Sequence, residues 1–266
     1  MADGIPSDWL IPQWPAPAHV RALCTTRAGG VSAPPYDSLN LGLHVGDAEA
    51  SVRANRERLF AALGARPVFL NQVHGNQTVV LDAQTANGPQ ADGVVTRERQ
   101  LPCMVMVADC LPILLTDRAG SFVAALHAGW RGLAGAGDMQ CHGILEAFFE
   151  EKVPAAPVGR AYAATDLIAW LGPCIGPTAF EVGDEVRDAF VQTSAQGAGC
   201  FVPHGESKWL ADLAGLARQR LAALGVSAVF GNDSSPAWCT VSQPLRFFSH
   251  RRDRVSGRFA ACIWLD

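Results

Sequence analysis

The tightest constraint on this chain is the stretch from Leu101 to His127, where apolar strand-like runs (Leu101–Cys110, Leu111–Thr116 and Ser121–His127) follow one another with only Asp117-Arg118-Ala119-Gly120 as a turn. Runs joined this way pair antiparallel. Two further strand-like runs, Pro67–His74 and Gln77–Leu81, precede them, and together they hold the chain's densest β-branched and apolar material. More strands are expected over Val20–Thr26, Leu167–Leu171, Ala228–Phe230, Arg246–Ser249 and Arg258–Trp264. Helices are expected over about Ala48–Leu63, with Asp47 as N-cap and Gly64 as stop, and over Leu133–Glu151, Asp184–Thr193 and Ser207–Leu224, the last stopped by Gly225. Strands that come partly as hairpins and partly separated by helices imply an α+β (mixed α/β) fold, with mixed β-sheets flanked by helices in layers, rather than strict doubly wound alternation.

At 266 residues, 49 % hydrophobic and 17 % charged, the chain can bury a large core as one domain spanning residues 1–266. A metal is not needed to fold it, so any metal is expected to be functional. No repeat of fixed period points to a solenoid or propeller. The formal net charge is −4, which advertises neither nucleic acid nor an anionic membrane as partner. The N-terminus, Met1-Ala2-Asp3-Gly4-Ile5-Pro6, lacks a signal peptide's basic and apolar regions, and the apolar stretch Leu101–Leu115 is too short to span a bilayer; a cytoplasmic protein is expected. The 8 cysteines include no C-x-x-C pair, and most are expected to be buried free thiols.

Three potential metal ligands, His74, Cys110 and His127, each end or interrupt an apolar run close to Gly or Pro. A rigid strand fixes such a side chain while the turn beside it opens access to a cleft. If Asp117–Gly120 closes a hairpin with Thr116 opposite Ser121, the same register sets Cys110 opposite His127, although a shorter loop would shift it by one residue. Two His and one Cys suit a zinc ion with an open fourth position, and the same donors would accept copper. No H-x-H pair of the kind a trinuclear copper centre would need is present. Signatures of P-loops, dinucleotide folds, zincins, nucleophile elbows and zinc nucleobase deaminases are absent too.

Polar residues interrupt the apolar runs beside these ligands. Asn71 and Gln72 follow Val68-Phe69-Leu70, and Asp109 follows Val107-Ala108. Asp109 could transfer protons or accept backbone N–H groups at a bend. Trp130 and Arg131 could supply a base-stacking face and an anion clamp, or simply begin a helix with an arginine on its surface. Cys110 could alternatively be a nucleophile paired with His127, as in an amidase-like hydrolase. Cys174, between Gly and Pro neighbours, reads as a packing residue. A structural metal in a protein-interaction module is the non-enzymatic alternative.

The segments Asn71-Gln72-Val73-His74-Gly75, Ala108-Asp109-Cys110-Leu111-Pro112, His127-Ala128-Gly129-Trp130-Arg131-Gly132 and Gly172-Pro173-Cys174-Ile175-Gly176-Pro177 together closely resemble the YfiH-like family. That family is also called laccase-domain, multicopper polyphenol oxidase, purine nucleoside phosphorylase or peptidoglycan editing factor. Thr25–Ser32, Leu39–Asp47, Asn55-Arg56, Phe247–Asp253 and Gly257-Arg258 extend the resemblance over nearly the whole chain. His250 departs from it, standing where the pattern has Tyr. The resemblance implies a mixed α/β layered fold, with His74, Cys110 and His127 as the metal-binding and catalytic set. It implies zinc, with copper as alternative, and phosphorolysis of adenosine, inosine and methylthioadenosine, with adenosine deamination as a side reaction. Copper-dependent phenol oxidation and hydrolytic editing of a peptidoglycan precursor are the alternative activities it carries. On this reading Asp109 joins the catalytic residues, while Asn71, Gln72, Arg27 with Gly29-Gly30, Arg131 and Arg251 are candidate contacts for nucleoside and phosphate.

Overall fold

A computed structural model describes residues 5–151 and 164–266. Residues 1–4, part of the terminus read above for a leader, lie outside the described residues. In chain order the elements are β1 (Val20–Cys24), α1 (Glu49–Leu63), β2 (Thr78–Val80), β3 (Gly93–Thr96), β4 (Cys103–Val107), β5 (Leu111–Asp117) and β6 (Val123–Ala128). There follow α2 (Trp130–Ala134), α3 (Ile144–Glu151), β7 (Leu167–Leu171), β8 (Glu181–Gly183) and α4 (Asp184–Val191). The chain ends with β9 (Phe201–Pro203), β10 (Lys208–Ala211), α5 (Leu213–Ala223), β11 (Ala228–Gly231), α6 (His250–Asp253) and β12 (Phe259–Leu265).

These form three sheets. A six-stranded mixed sheet runs β11-β7-β5-β6-β3-β2, a three-stranded antiparallel sheet runs β1-β12-β4, and a small one runs β8-β10-β9. Only the two ends of the large sheet, β11 with β7 and β2 with β3, pair parallel. The alternation of side chains along each strand explains the layering. Val105 and Val107 of β4 and Ala261 and Ile263 of β12 face Leu114, Val123 and Ala125 across the two larger sheets. The opposite faces of β4 and β12, Met104, Met106, Ala260 and Cys262, pack on Leu59 and Leu63 of α1. Ile113, Leu115, Ala124 and Leu126 on the far face of the large sheet pack on Leu133, Leu145, Phe148 and Leu216 of the helices. Strands buried on both faces are apolar at every position, so their runs are continuous rather than alternating.

The expected mixed α/β architecture holds, while several segments differ from the sequence reading. The β5–β6 ladder pairs Pro112 with His127 and Thr116 with Val123, so Cys110 does not oppose His127. The turn is longer than expected because the Asp117 carboxylate takes the N–H and hydroxyl of Ser121 at 2.6 and 2.7 Å and holds that residue out of the ladder. The helix expected over Leu133–Glu151 is split: α2 stops at Gly135, whose φ of +69° turns the chain, and α3 begins at Ile144. The segment opening Ser207–Leu224 is strand β10, and α5 starts only where the Asp212 side chain caps the Gly215 N–H. Asp47 does not cap α1; it takes the Ala48 N–H and the side chains of Ser32 and Asn40, leaving Ala48 at the N-cap.

Two expected strands are not strands. Pro67–His74 carries a single isolated bridge, at Asn71, and its buried Val68, Phe69 and Leu70 fill core without joining a ladder. Arg246–Ser249 is apolar because Phe247 and Phe248 are fully buried plugs after a turn at Gln243. Strands β3, β8 and β9 lie outside the segments expected to be strands. Of the cysteines, Cys24, Cys103, Cys174, Cys239 and Cys262 are buried free thiols, as expected of most, while Cys141 is exposed. No helix among the described residues is long and apolar enough to cross a membrane.

Candidate active site

The β4–β5 connection, the loop before β2 and the end of β6 meet at the floor of a cleft of about 540 Å³. Cys110 directly precedes β5, His127 is the penultimate residue of β6, and His74 lies in the loop that leads into β2. Their candidate ligand atoms all lie within 4.8 Å of one another, and the two imidazole rings meet edge-on with centroids 4.9 Å apart. The three residues come together although Cys110 and His127 are not ladder partners. Cys110 reaches the group because it sits one residue before the first paired position of β5, Leu111, which opposes Ala128.

Asp92 organises this floor. Fully buried at the residue before β3, it accepts the N–H groups of Val73, His74 and Gly75 at 3.2, 2.9 and 2.7 Å. The same carboxylate lies 2.8 Å from Nδ1 of His127. Three N–H contacts clamp His74 in a left-handed conformation (φ +62°) that a non-glycine residue avoids, an example of backbone strain held at a site by over-determination. The contact to Nδ1 leaves Nε2 of His127 directed at the group, as metal-bound histidines are commonly held by a carboxylate.

The electrostatics favour a thiolate. Burial opposes ionisation of Cys110, but the adjacent His127 charge and hydrogen bonds from both imidazoles outweigh it and bring the thiol down to about 6. Burial likewise opposes protonation of His127, yet the Cys110 thiolate and Asp92 raise it to about 9. For Asp92, burial is outweighed by His127 and the Gly75 and His74 N–H groups, which hold the carboxyl below its ordinary range. A thiolate beside two imidazoles is a donor set that a tetrahedral zinc ion or a copper ion accepts. Gly129 supports that fit: a Cβ there would lie 2.9 Å from Cδ2 of His74 and 3.0 Å from Sγ of Cys110, so the missing side chain keeps the cradle open.

Other residues singled out in the sequence divide into free and committed groups. Asn71 lines the cleft, and its side chain makes no hydrogen bond among the described residues. Gln72 also lines it, but its amide is spent on both backbone groups of Met106, at 2.9 Å each. Asp109 adopts φ +89° and accepts the Thr240 hydroxyl at 2.5 Å and the Arg251 N–H at 2.6 Å, tying the C-terminal segment to the cleft. Arg131 stands at the mouth over the Trp130 ring, and Arg251 gives one guanidinium N–H to the Glu181 carbonyl. Arg27 lies outside the cleft: it binds the Asp37 and Pro244 carbonyls, pairs with the Asp37 carboxylate and covers Phe248. Cys174 is buried against Asn232, in keeping with a packing role.

Sequence reasoning missed Asp92, His44, Arg254 and Arg258, the last three of which line the cleft together with His250. The only signal for Asp92 was a charged residue directly ahead of the apolar run Gly93-Val94-Val95.

The family described as "Multi-copper polyphenol oxidoreductase laccase" matches residues 21–266. The chain belongs to this family, that of the YfiH proteins. It is 48 % identical over 261 residues to the purine nucleoside phosphorylase YfiH of Escherichia coli, covering 97 % of this chain and 99 % of that protein. A purine nucleoside phosphorylase of Haemophilus influenzae is 40 % identical over 262 residues, covering 96 % and 98 %. The crystal structure of Neisseria meningitidis NMB0706 superposes with a TM-score of 0.87 at 44 % identity, covering 98 % of this chain and 100 % of that one. Geobacillus stearothermophilus YlmD gives 0.81 at 31 % identity, covering 93 % and 92 %.

Proposed function

We propose that this YfiH-family protein is a zinc-dependent, cytoplasmic purine nucleoside phosphorylase, acting on adenosine, inosine and methylthioadenosine, with adenosine deamination as a side reaction. The observation that carries the reading is the combination, in one cleft, of the His74–Cys110–His127 group, an apolar wall and several cationic side chains. The relatives named purine nucleoside phosphorylase support it, since the chain aligns with them almost end to end.

In phosphorolysis a phosphate oxygen bonds to C1′ of the ribose, the C1′–N9 bond breaks with its electron pair going to the purine, and the purine takes the proton that phosphate brings. The cleft suits each requirement. Leu70, Met106, Trp130, Ile175 and Phe180 give the purine an apolar and aromatic surface, and the unengaged Asn71 amide can meet its polar edge. Cations near the floor attract the phosphate. A metal ion bound by His74, Cys110 and His127 would supply Lewis acidity to polarise an atom of the substrate. Asp92 holds two of those ligands in place, and Asp109 holds the chain that carries Arg251.

The test is metal content of the purified protein by elemental analysis, with inosine turnover measured with and without phosphate, before and after chelation. The expected result is near-stoichiometric zinc and phosphate-dependent release of hypoxanthine that chelation removes and zinc restores. Copper loading with oxygen consumption on phenols would replace this reading with the oxidase. Zinc with no nucleoside turnover would overturn the phosphorylase and favour the hydrolytic editing activity.

A further inference from the structure

Two basic residues, His44 and Arg258, line one end of the cleft with Arg56 of α1 close behind them, and neither the metal group nor the purine wall gives them a role. The hinge is Leu41. Its N–H donates to the Arg258 carbonyl at 3.0 Å, and its own carbonyl accepts Nε of Arg56 at 2.9 Å, so one residue anchors both arginines. His44 follows three residues later in a single helical turn, Leu43–Val45, and lines the cleft with Arg258. Asn40 completes the frame by accepting the Arg258 N–H at 2.9 Å.

None of the three has a carboxylate partner among the described residues. Arg258 is half-buried and directs Nη1 at the Ser256 and Gly257 carbonyls, which neutralise no charge. Arg56 is half-buried on the face of Phe69, 3.5 Å from the ring centroid. His44 makes no hydrogen bond among the described residues, and Asp47, the acidic residue nearest to it in sequence, is engaged by Ser32, Asn40 and Ala48. The imidazole is held below its ordinary value, by desolvation first and then by the Arg258 and Arg56 guanidiniums, so at neutral pH it meets an anion as an uncharged N–H donor. Arg258 lines the cleft together with Cys110 and Asp109, whose charges partly oppose the lowering that burial imposes on the guanidinium. Two guanidiniums partly withdrawn from water with no ion-pair partner among the described residues are a cost to the free protein that a bound anion offsets.

We infer that His44 and Arg258, backed by Arg56, form the phosphate subsite of the cleft, holding a phosphate dianion next to the His74–Cys110–His127 floor. The inference rests on the nucleoside phosphorylase reading and makes it specific. It assigns the anion to these residues rather than to Arg27, which lies outside the cleft and is held by the Asp37 and Pro244 carbonyls. Orthophosphate and the phosphate of a nucleotide share the chemistry that this subsite recognises.

The experiment is calorimetric titration of the metal-loaded protein with inorganic phosphate, paired with KM values for phosphate and for inosine. Arg258→Gln is expected to weaken phosphate binding about 10- to 100-fold, the loss of one charge-assisted contact, with KM for inosine changed by less than about threefold. Arg258→Lys recovers part of the loss. Because Arg258 also ties down two carbonyls, His44→Gln at an exposed position is the second variant, expected to weaken phosphate several-fold without affecting folding. Unchanged phosphate affinity in both His44→Gln and Arg258→Gln, or equal losses for phosphate and inosine, overturns the subsite. AMP binding more tightly than adenosine, with that advantage lost in Arg258→Gln, would identify a ligand-borne phosphate as the occupant. If inosine is not turned over yet phosphate binding falls in the variants, the subsite stands and the phosphorylase reading fails. If turnover proceeds with phosphate binding unmoved, the reverse holds.

Discussion

Oδ1 of Asp92 sits 2.8 Å from Nδ1 of His127, while the same carboxylate takes the N–H of His74 at 2.9 Å. One buried side chain therefore sets the orientation of two candidate ligands on different elements. Asp92→Asn is expected to lower metal affinity about 10- to 100-fold, since outer-shell partners of metal ligands contribute on that scale. The amide keeps an oxygen for the loop N–H groups but not the charge that favours His127. Competition with a chromophoric chelator measures this, and wild-type affinity in the variant would show that Asp92 only folds the loop.

Gly129→Ala separates the cradle from the fold. Its backbone (φ −70°, ψ 162°) is open to any residue, so alanine brings no conformational strain. The added methyl, however, would press on His74 and Cys110 at 2.9 and 3.0 Å. The expected outcome is loss of metal and of turnover with a melting temperature within a few degrees of wild type, read by elemental analysis and thermal unfolding.

Thiol labelling reports occupancy without reference to activity. Cys141 is exposed and Cys110 opens to the cleft, whereas burial and the neighbouring Asp212 raise the half-buried Cys200 thiol to about 11. In metal-free protein two thiols are expected to react quickly with a disulfide reagent at neutral pH, and in metal-loaded protein only Cys141. Cys110→Ala removes the metal-protected one. Equal labelling with and without metal would contradict ligation by Cys110.

How far the sequence could be read follows from which interactions are local. The paired runs from Leu111 to His127 and the strand Leu167–Leu171 are legible because strands buried on both faces are written as unbroken apolar stretches. Phe247-Phe248 is apolar for a different reason, as a plug under the sheet, and a run of buried residues does not by itself tell plug from ladder. The register error has one cause, the Asp117 side chain satisfying Ser121, a choice that turn composition leaves undetermined. His74, Cys110 and His127 were found because each stands where an apolar run meets Gly or Pro. Asp92 was not, because its partners are backbone groups 17 to 19 residues away and a histidine 35 residues away. The split of the arginines was equally hidden: Arg27 is consumed by carbonyls of distant loops, while Arg258 is left facing the cleft.

Asp109 is the residue whose two sequence readings the geometry weighs most directly. Both carboxylate oxygens are occupied, one by the Thr240 hydroxyl and the other by the Arg251 N–H, and neither donor has an alternative partner as short. A carboxylate with both oxygens so engaged has little freedom to reach a substrate, which favours positioning over proton transfer. Asp109→Asn is a clean probe because asparagine tolerates the left-handed conformation that this position requires. The amide can still accept one of the two hydrogen bonds, so the fold should persist while the Arg251 segment loosens. The expected result is a fall in kcat of less than about tenfold, a rise in KM, full metal content and an unchanged shape of the pH–rate profile. Removing a proton-transfer group would instead cost about 100- to 10,000-fold in kcat. A loss of that size with metal retained and one limb of the pH profile abolished would return Asp109 to the chemical step.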